Sequence, residues 1–192
     1  MNDNIIRCDW PGDNSLMIKY HDEEWGRPLH DDKLLFEFIV LDTFQAGLSW
    51  YIVLKKREHF RKAFDYFDPE KIAKYDNEKL AELLNNKNII RNRMKIKATI
   101  NNAKSFLKIV DKYGSFDKFI WQFTDYKVIQ NKWERHEDIP VKTEISDLMS
   151  KELRSNGFKF VGSTICYAFM QATGMVNDHL TKCFRHKQLF EE

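Results

Sequence analysis

Apolar positions along this chain recur at spacings of three and four, the period of helices packed through one face. DKLLFEFIVLDTFQAG puts Leu35, Phe38, Asp42 and Gln45 on one side, with an Asp at the N-cap. LSWYIVLKKREHFRKAF reads as one helix capped by Ser49, gathering Trp50, Val53, Leu54 and Phe64. Asp68-Pro69 opens a short helix, because the missing proline N–H costs nothing at the first helical position. Asp76 starts another through LAELL, and MKIKATINNAKSFLKIV carries the stripe Ile96, Ile100, Ala103, Leu107 and Val110. Further helices run through FDKFIWQF, through SDLMSKELRS to a stop at Gly157, and through STICYAFMQATG to a stop at Gly174. No stretch alternates long enough for a substantial sheet. The pattern predicts an all-α protein, one domain over residues 1–192 built as two helical lobes, without repeat or linker.

Two of these helices meet at NNKNIIRNRMKIK, residues 85–97. Asn88 stands where a left-handed residue would end the first helix, a conformation Asn tolerates. The second helix then starts among Arg and Lys with free N–H groups. Such an N-terminus can hold a phosphate; an ordinary helix hairpin with a solvated basic flank has the same pattern.

Composition sharpens this. Fifteen Phe, seven Tyr and five Trp are a heavier aromatic load than packing requires. No long apolar run exists, so neither a signal peptide nor a membrane span is expected. Three widely spaced cysteines, Cys8, Cys166 and Cys183, argue against a disulfide framework and for a cytoplasmic protein. The net charge of +2 hides an uneven distribution. Residues 13–42 hold eight acids against three bases, whereas residues 87–108 hold seven bases and no acid. KKREHFRK, residues 55–62, is a second basic run. Solvated helix faces and a polyanion partner such as DNA are both compatible with these runs.

Asp42 lies on the apolar stripe of its helix, where a carboxylate is costly unless paired or hydrogen-bonded. It either caps neighbouring N–H groups or faces a pocket for a polar or cationic ligand. QAGLSW follows, with Gly47 allowing close backbone approach and Trp50 offering a flat face. Trp10, Tyr20 and Trp25 could add to the wall, or each could be core. A buried acid beside aromatic plates suits a flat, electron-poor ring.

NDHLTKC, residues 177–183, carries another candidate. On a helix, His179 and Cys183 would leave one face a turn apart. With Cys8 and His21 they make a Cys2His2 set, the kind that closes a structural zinc site with no open position for a catalytic water. On spacing alone, a single His-x3-Cys pair is more often coincidence than a metal site. Cys166 reads as core.

In order, CDW, YHDEEWG, FQAGLSW, VLKKRE, FDPEKIA, IIRNRMKIKATINNA, GFKFVGSTICYAFMQATG and VNDH closely resemble the 3-methyladenine DNA glycosylase I family, over residues 7–184. The resemblance implies a helix-hairpin-helix glycosylase that binds alkylated double-stranded DNA, flips out 3-methyladenine and hydrolyses its N-glycosidic bond in base excision repair. It implies one structural zinc on Cys8, His21, His179 and Cys183, joining the two ends of the chain. It implies a base pocket of Trp10, Tyr20, Trp25 and Trp50, with Asp42 as the acid, catalytic by its contact with the base. DNA contacts would come from Gly47 and Leu48 at the turn and from Ile90, Arg91, Arg93 and Lys95 at the hairpin. Where the family carries Glu in a Leu-Glu-Gly-type run, this chain has Leu41-Asp42-Thr43, and Met17 stands where an aromatic is usual. A monofunctional monomer without lyase activity is expected; a non-catalytic alkylated-DNA-binding homologue and a small-substrate zinc hydrolase are the rival readings.

Overall fold

The computed structural model describes residues 5–191. The helices are α1 (Ser15–Glu23), α2 (Asp32–Gln45), α3 (Trp50–Lys55), α4 (Arg57–Ala63), α5 (Pro69–Ile72), α6 (Asn77–Asn85), α7 (Arg93–Tyr113), α8 (Phe116–Trp121), α9 (Glu144–Ser155), α10 (Ser163–Ala172) and α11 (Phe184–Glu191). A two-residue parallel pair, β1 (Ile129–Gln130) on β2 (Val176–Asn177), is the strand structure among the described residues.

Helix α2 is the axis of the molecule. Its expected stripe widens to the whole circumference, since every residue from Leu35 to Phe44 is buried. Asp31 caps it by accepting the Leu34 N–H at 2.8 Å. Helices α3, α7, α8 and α10 pack around it, and α9 backs α10. Each fully buried Phe or Leu of this helix contributes roughly 1.5–3 kcal/mol, which holds α2 where its two acids are unfavourable. Glu37 is matched: Arg57 Nε donates to it at 2.5 Å and Arg61 Nη2 at 2.8 Å, with the Arg57 guanidinium also over the Phe38 ring. Asp42 has no such partner.

The single helix expected over residues 48–64 is two. The chain leaves helical geometry at Lys56 (φ −99°, ψ 0°), whose ammonium donates to the Asn88 carbonyl at 2.9 Å. The break turns Arg57 inward to reach Glu37. Asn88 does not take the left-handed conformation expected of it: α6 ends at Asn86 with φ −74°, and the Asn86 side chain accepts the Asn88 N–H at 3.0 Å. An Asx turn replaces the left-handed cap. Helices α1 and α11 are not among those expected from the sequence pattern. Gly157 and Gly174 both lie at positive φ just past their helices, as expected.

Candidate active site and metal centre

Four elements converge on one cavity. Helix α1 brings Met17 and Tyr20, α2 brings Asp42 and Gln45, α3 brings Trp50, and α10 brings Ala168, Gln171 and Ala172. Trp10 and Trp25 come from the segments flanking α1, and His136 and Ile139 from the loop before α9. The cavity has a volume of about 170 Å³. Trp10 meets Trp25 edge-on with ring centroids 5.2 Å apart, and Tyr20 lies 5.2 Å from Trp50. All five residues expected of a base pocket therefore share one wall.

Asp42 is 2% exposed, and its Oδ2 has no hydrogen-bond partner among the described residues. Burial pushes its carboxyl well above the usual carboxylate range. The Nε1–H groups of Trp10 and Trp50 are likewise buried without an acceptor. Burial, and then the nearby Asp42 and Glu24 carboxylates, push the Tyr20 hydroxyl above its ordinary value. Buried polar atoms left unsatisfied cost about 1–3 kcal/mol each, and three of them on one aromatic wall mark a surface built for a partner.

Directly behind Trp25 lies the second centre. Cys8, His21, His179 and Cys183 are all buried, with their ligand atoms within 4.8 Å of one another. His179 and Cys183 are not on a helix; they lie in the turn between β2 and α11, so folding of that turn sets their approach. The His179 ring stands edge-on to Trp25 at 4.6 Å. Cys8 Sγ lies 3.6 Å from His179 Nδ1, Cys183 Sγ 3.5 Å from both imidazoles, and the two inner nitrogens are 3.2 Å apart. Metal–sulfur bonds of about 2.3 Å and metal–nitrogen bonds of about 2.0–2.1 Å at a tetrahedral ion imply separations of about 3.3–3.8 Å.

Outer hydrogen bonds fix the tautomers. His21 Nδ1 donates to the Asp22 carboxylate at 2.7 Å, and Arg7 holds that carboxylate from the other side. His179 Nε2 donates to the Trp25 carbonyl at 3.0 Å. With both protons outside, His21 Nε2 and His179 Nδ1 direct lone pairs at each other. Two facing lone pairs repel unless a cation lies between them, so the set is able to hold a metal ion. The Cys8–Cys183 hydrogen bond pushes the Cys8 thiol up and the Cys183 thiol down. Gly26, at φ +80°, passes so close to the His179 ring that a Cβ would lie 3.0 Å from it. Cys166 is separate, buried on α10 near Ile39 of α2 and Leu153 of α9, and its thiol is pushed up to about 12 by burial.

Of the residues expected at DNA, Gly47 lies at φ +79° with open space around it, and Leu48 is 39% exposed. Arg91 and Arg93 are exposed without an ion-pair partner among the described residues. No hydrogen bond there uses the N–H of Ile90, Arg91 or Arg93, whereas Asn92 occupies those of Met94 and Lys95. Lys95 itself is a correction. It is 5% exposed, and its ammonium donates inward to the Phe44 and Ala46 carbonyls, the unsatisfied C-terminal end of α2. Gln45, His136, Ile139 and Gln171 line the cavity without having been expected there; Gln171, a polar residue in an apolar helix, was the one detectable signal.

A Cys2His2 group able to hold a metal lies beside an aromatic cavity whose unpartnered acid could accept hydrogen bonds from a flat ring, all within a helical fold. The profile of the methyladenine glycosylase family matches residues 10–186. DNA-3-methyladenine glycosylase of Haemophilus influenzae is 48% identical over 177 residues, covering 92% of this chain and 96% of that one. A crystal structure of 3-methyladenine DNA glycosylase I, 49% identical, superposes with a TM-score of 0.91, covering 93% of this chain and 98% of that one. The Staphylococcus aureus 3-methyladenine DNA glycosylase I, solved for the structural basis of 3-methyladenine recognition, is 36% identical with a TM-score of 0.90, covering 93% of this chain and 95% of that one. The chain belongs to the methyladenine glycosylase family.

Proposed function

We propose that this protein is a DNA glycosylase that takes 3-methyladenine from alkylated double-stranded DNA into the aromatic cavity and hydrolyses its N-glycosidic bond. The observation that carries this is the buried, unpartnered Asp42 within the cage of Trp10, Tyr20, Trp25 and Trp50.

Chemistry on a paired base requires that base out of the stack. Leu48, raised on the Gly47 turn, acts as an apolar plug in the gap that is left. The free amides of Ile90, Arg91 and Arg93 act as a helix-hairpin-helix phosphate grip ahead of α7. A second exposed face continues from the plug through Leu48, Tyr51, Ile52, Lys55 and His59, with Lys55 as its cation, while Lys56, Arg57 and Arg61 of the KKREHFRK run are turned to Asn88 and Glu37.

N3-methylation makes the base cationic, so its bond to the sugar is already weakened and it leaves without protonation. The cation would draw Asp42 into its ionised form, reversing the cost of burial, and the carboxylate would accept the base's N–H edge while Trp50 stacks on the ring. Asp is one methylene shorter than the family's Glu, so the base must sit deeper or through a water. No lysine is among the residues lining the cavity, and Lys95 is committed to carbonyls, which supports a monofunctional enzyme without lyase activity.

Cys8, His21, His179 and Cys183 would hold one zinc. With four protein ligands it supplies structure rather than reaction chemistry. Its imidazoles back Trp25 and so brace the cavity wall. Free thiols need a reducing compartment, and we place the protein in the cytoplasm as a single-domain monomer. No helix among the described residues is long and apolar enough to cross a membrane.

Release of free bases from methylated duplex DNA, separated by chromatography for wild type and Asp42→Ala, tests the proposal. Release of 3-methyladenine that disappears in the variant is the expected result. Binding of the DNA without release would make the chain a damage-binding homologue instead.

A further inference from the structure

Gln171, in the last turn of α10, lines the cavity opposite nothing that would fix a freely rotating amide from inside. It is fixed from outside. Its Nε2 donates to Asp178 Oδ2 at 2.8 Å. Asp178 is 1% exposed and lies among donors on every side. The Tyr167 hydroxyl donates to the same oxygen at 2.7 Å, and Asn131 Nδ2 and Trp133 Nε1 donate to the other, each at 2.7 Å.

A carboxylate enclosed by four donors can only accept. The amide of Gln171 must therefore present its NH2 end to Asp178, because the reverse orientation would set a carbonyl oxygen against a buried carboxylate. Its Oε1 is left as the end without a partner among the described residues. The main chain holds the same residue, since the Gln171 carbonyl accepts the Gly26 N–H at 3.0 Å.

We infer that Gln171 Oε1 reads the exocyclic position of the extruded base, with Asp178 as the positioning residue that locks it as an acceptor. The inference rests on the glycosylase reading. Adenine carries an amine donor at that position and guanine a carbonyl acceptor. With Asp42 Oδ2 the cavity then offers two acceptors, and a 3-methylguanine carbonyl would face one of them lone pair to lone pair. Sites that bind through a fixed polar group reject a mismatched analogue far better than apolar walls do. The cavity thus selects the alkylated purine by its amine as well as by its charge.

The test is the ratio of kcat/KM for 3-methyladenine over 3-methylguanine, each released from duplex DNA. Gln171→Met keeps length and apolar contact but removes the carbonyl, and leaves Asp178 its three other donors. The ratio is expected to fall at least tenfold, through slower release of 3-methyladenine with 3-methylguanine undiminished. Equal losses on both bases, or an unchanged ratio, would overturn the role of Gln171. Asp178→Asn, with metal content and melting checked against wild type, should lower the ratio in the same sense by letting the amide turn over. An unchanged ratio in that folded variant would remove Asp178 from the inference, and Gln171→Met decides without it. Wild type that releases neither base would instead count against the glycosylase reading.

Discussion

The ammonium nitrogen of Lys95 lies 2.6 Å from the carbonyl oxygen of Ala46 and 2.8 Å from that of Phe44. This one residue fastens the first turn of α7 to the end of α2, and so fixes the start of the turn that carries Gly47 and Leu48. Lys95→Met should leave those carbonyls buried and unsatisfied, a loss of about 1–3 kcal/mol in denaturant unfolding. Misplacing the plug should also lower kcat/KM by roughly tenfold or more. A variant with full activity would mean that the turn holds itself.

Asp42 offers a prediction of opposite sign for stability and function. Burial raises its folded pKa above the unfolded value, so the native state binds more protons and wild-type stability falls as pH rises through that window. Asp42→Asn should therefore melt higher than wild type at pH 8, with the advantage shrinking toward pH 4. Base release should rise with pH in wild type, starting above the ordinary carboxylate range, and be nearly abolished and flat in the variant. Equal melting curves at pH 8 would show that Asp42 meets no such cost.

Removing a metal held by Cys8, His21, His179 and Cys183 should act through the fold. With a chelator, the decline of base release should track the decline of tertiary circular dichroism, with no interval in which a folded, metal-free enzyme is inactive. Gly26→Ala, which presses a Cβ on the His179 ring from a left-handed backbone, should lower metal content and melting temperature together.

The DNA surface divides by salt. Withdrawing one cation from the phosphate backbone should flatten the dependence of log K on log salt by about 0.9. Arg91→Gln, Arg93→Gln and Lys55→Gln should each shift the slope by about that amount. Lys118→Gln, on α8 and away from these faces, should not. Slopes that are identical across the four variants would place the DNA elsewhere.

What could be read in advance followed periodicity. The stripe of α7 and the caps at Asp31, Asp68 and Asp76 are local signals, and each cap side chain accepts helix N–H groups as expected. The cage and the Cys2His2 set could be suspected from residue types and were made firm by the ordered motifs, because residues 8 and 183 meet by long-range packing that no spacing encodes. Lys95 departs from expectation for a physical reason. Its sequence neighbours are basic and exposed, and nothing in the helical pattern tells that this one ammonium turns toward carbonyls some fifty residues away. His136 and Ile139 sit in a segment without period, and Gln171 stands out as polar in an apolar helix without any local sign of what it faces.

Cys8 and Cys183 both lie against the His179 imidazole, which makes residues near opposite ends of the described chain buried neighbours. Protein ends ordinarily fray, exchanging amide hydrogens with solvent long before the core opens. Here the amide of Leu180, held by the Cys8 sulfur at 3.4 Å, has no local route to solvent. Its exchange should be as slow as that of α2, so that the segment around Leu180 opens only when the Cys8–His179–Cys183 cluster itself comes apart.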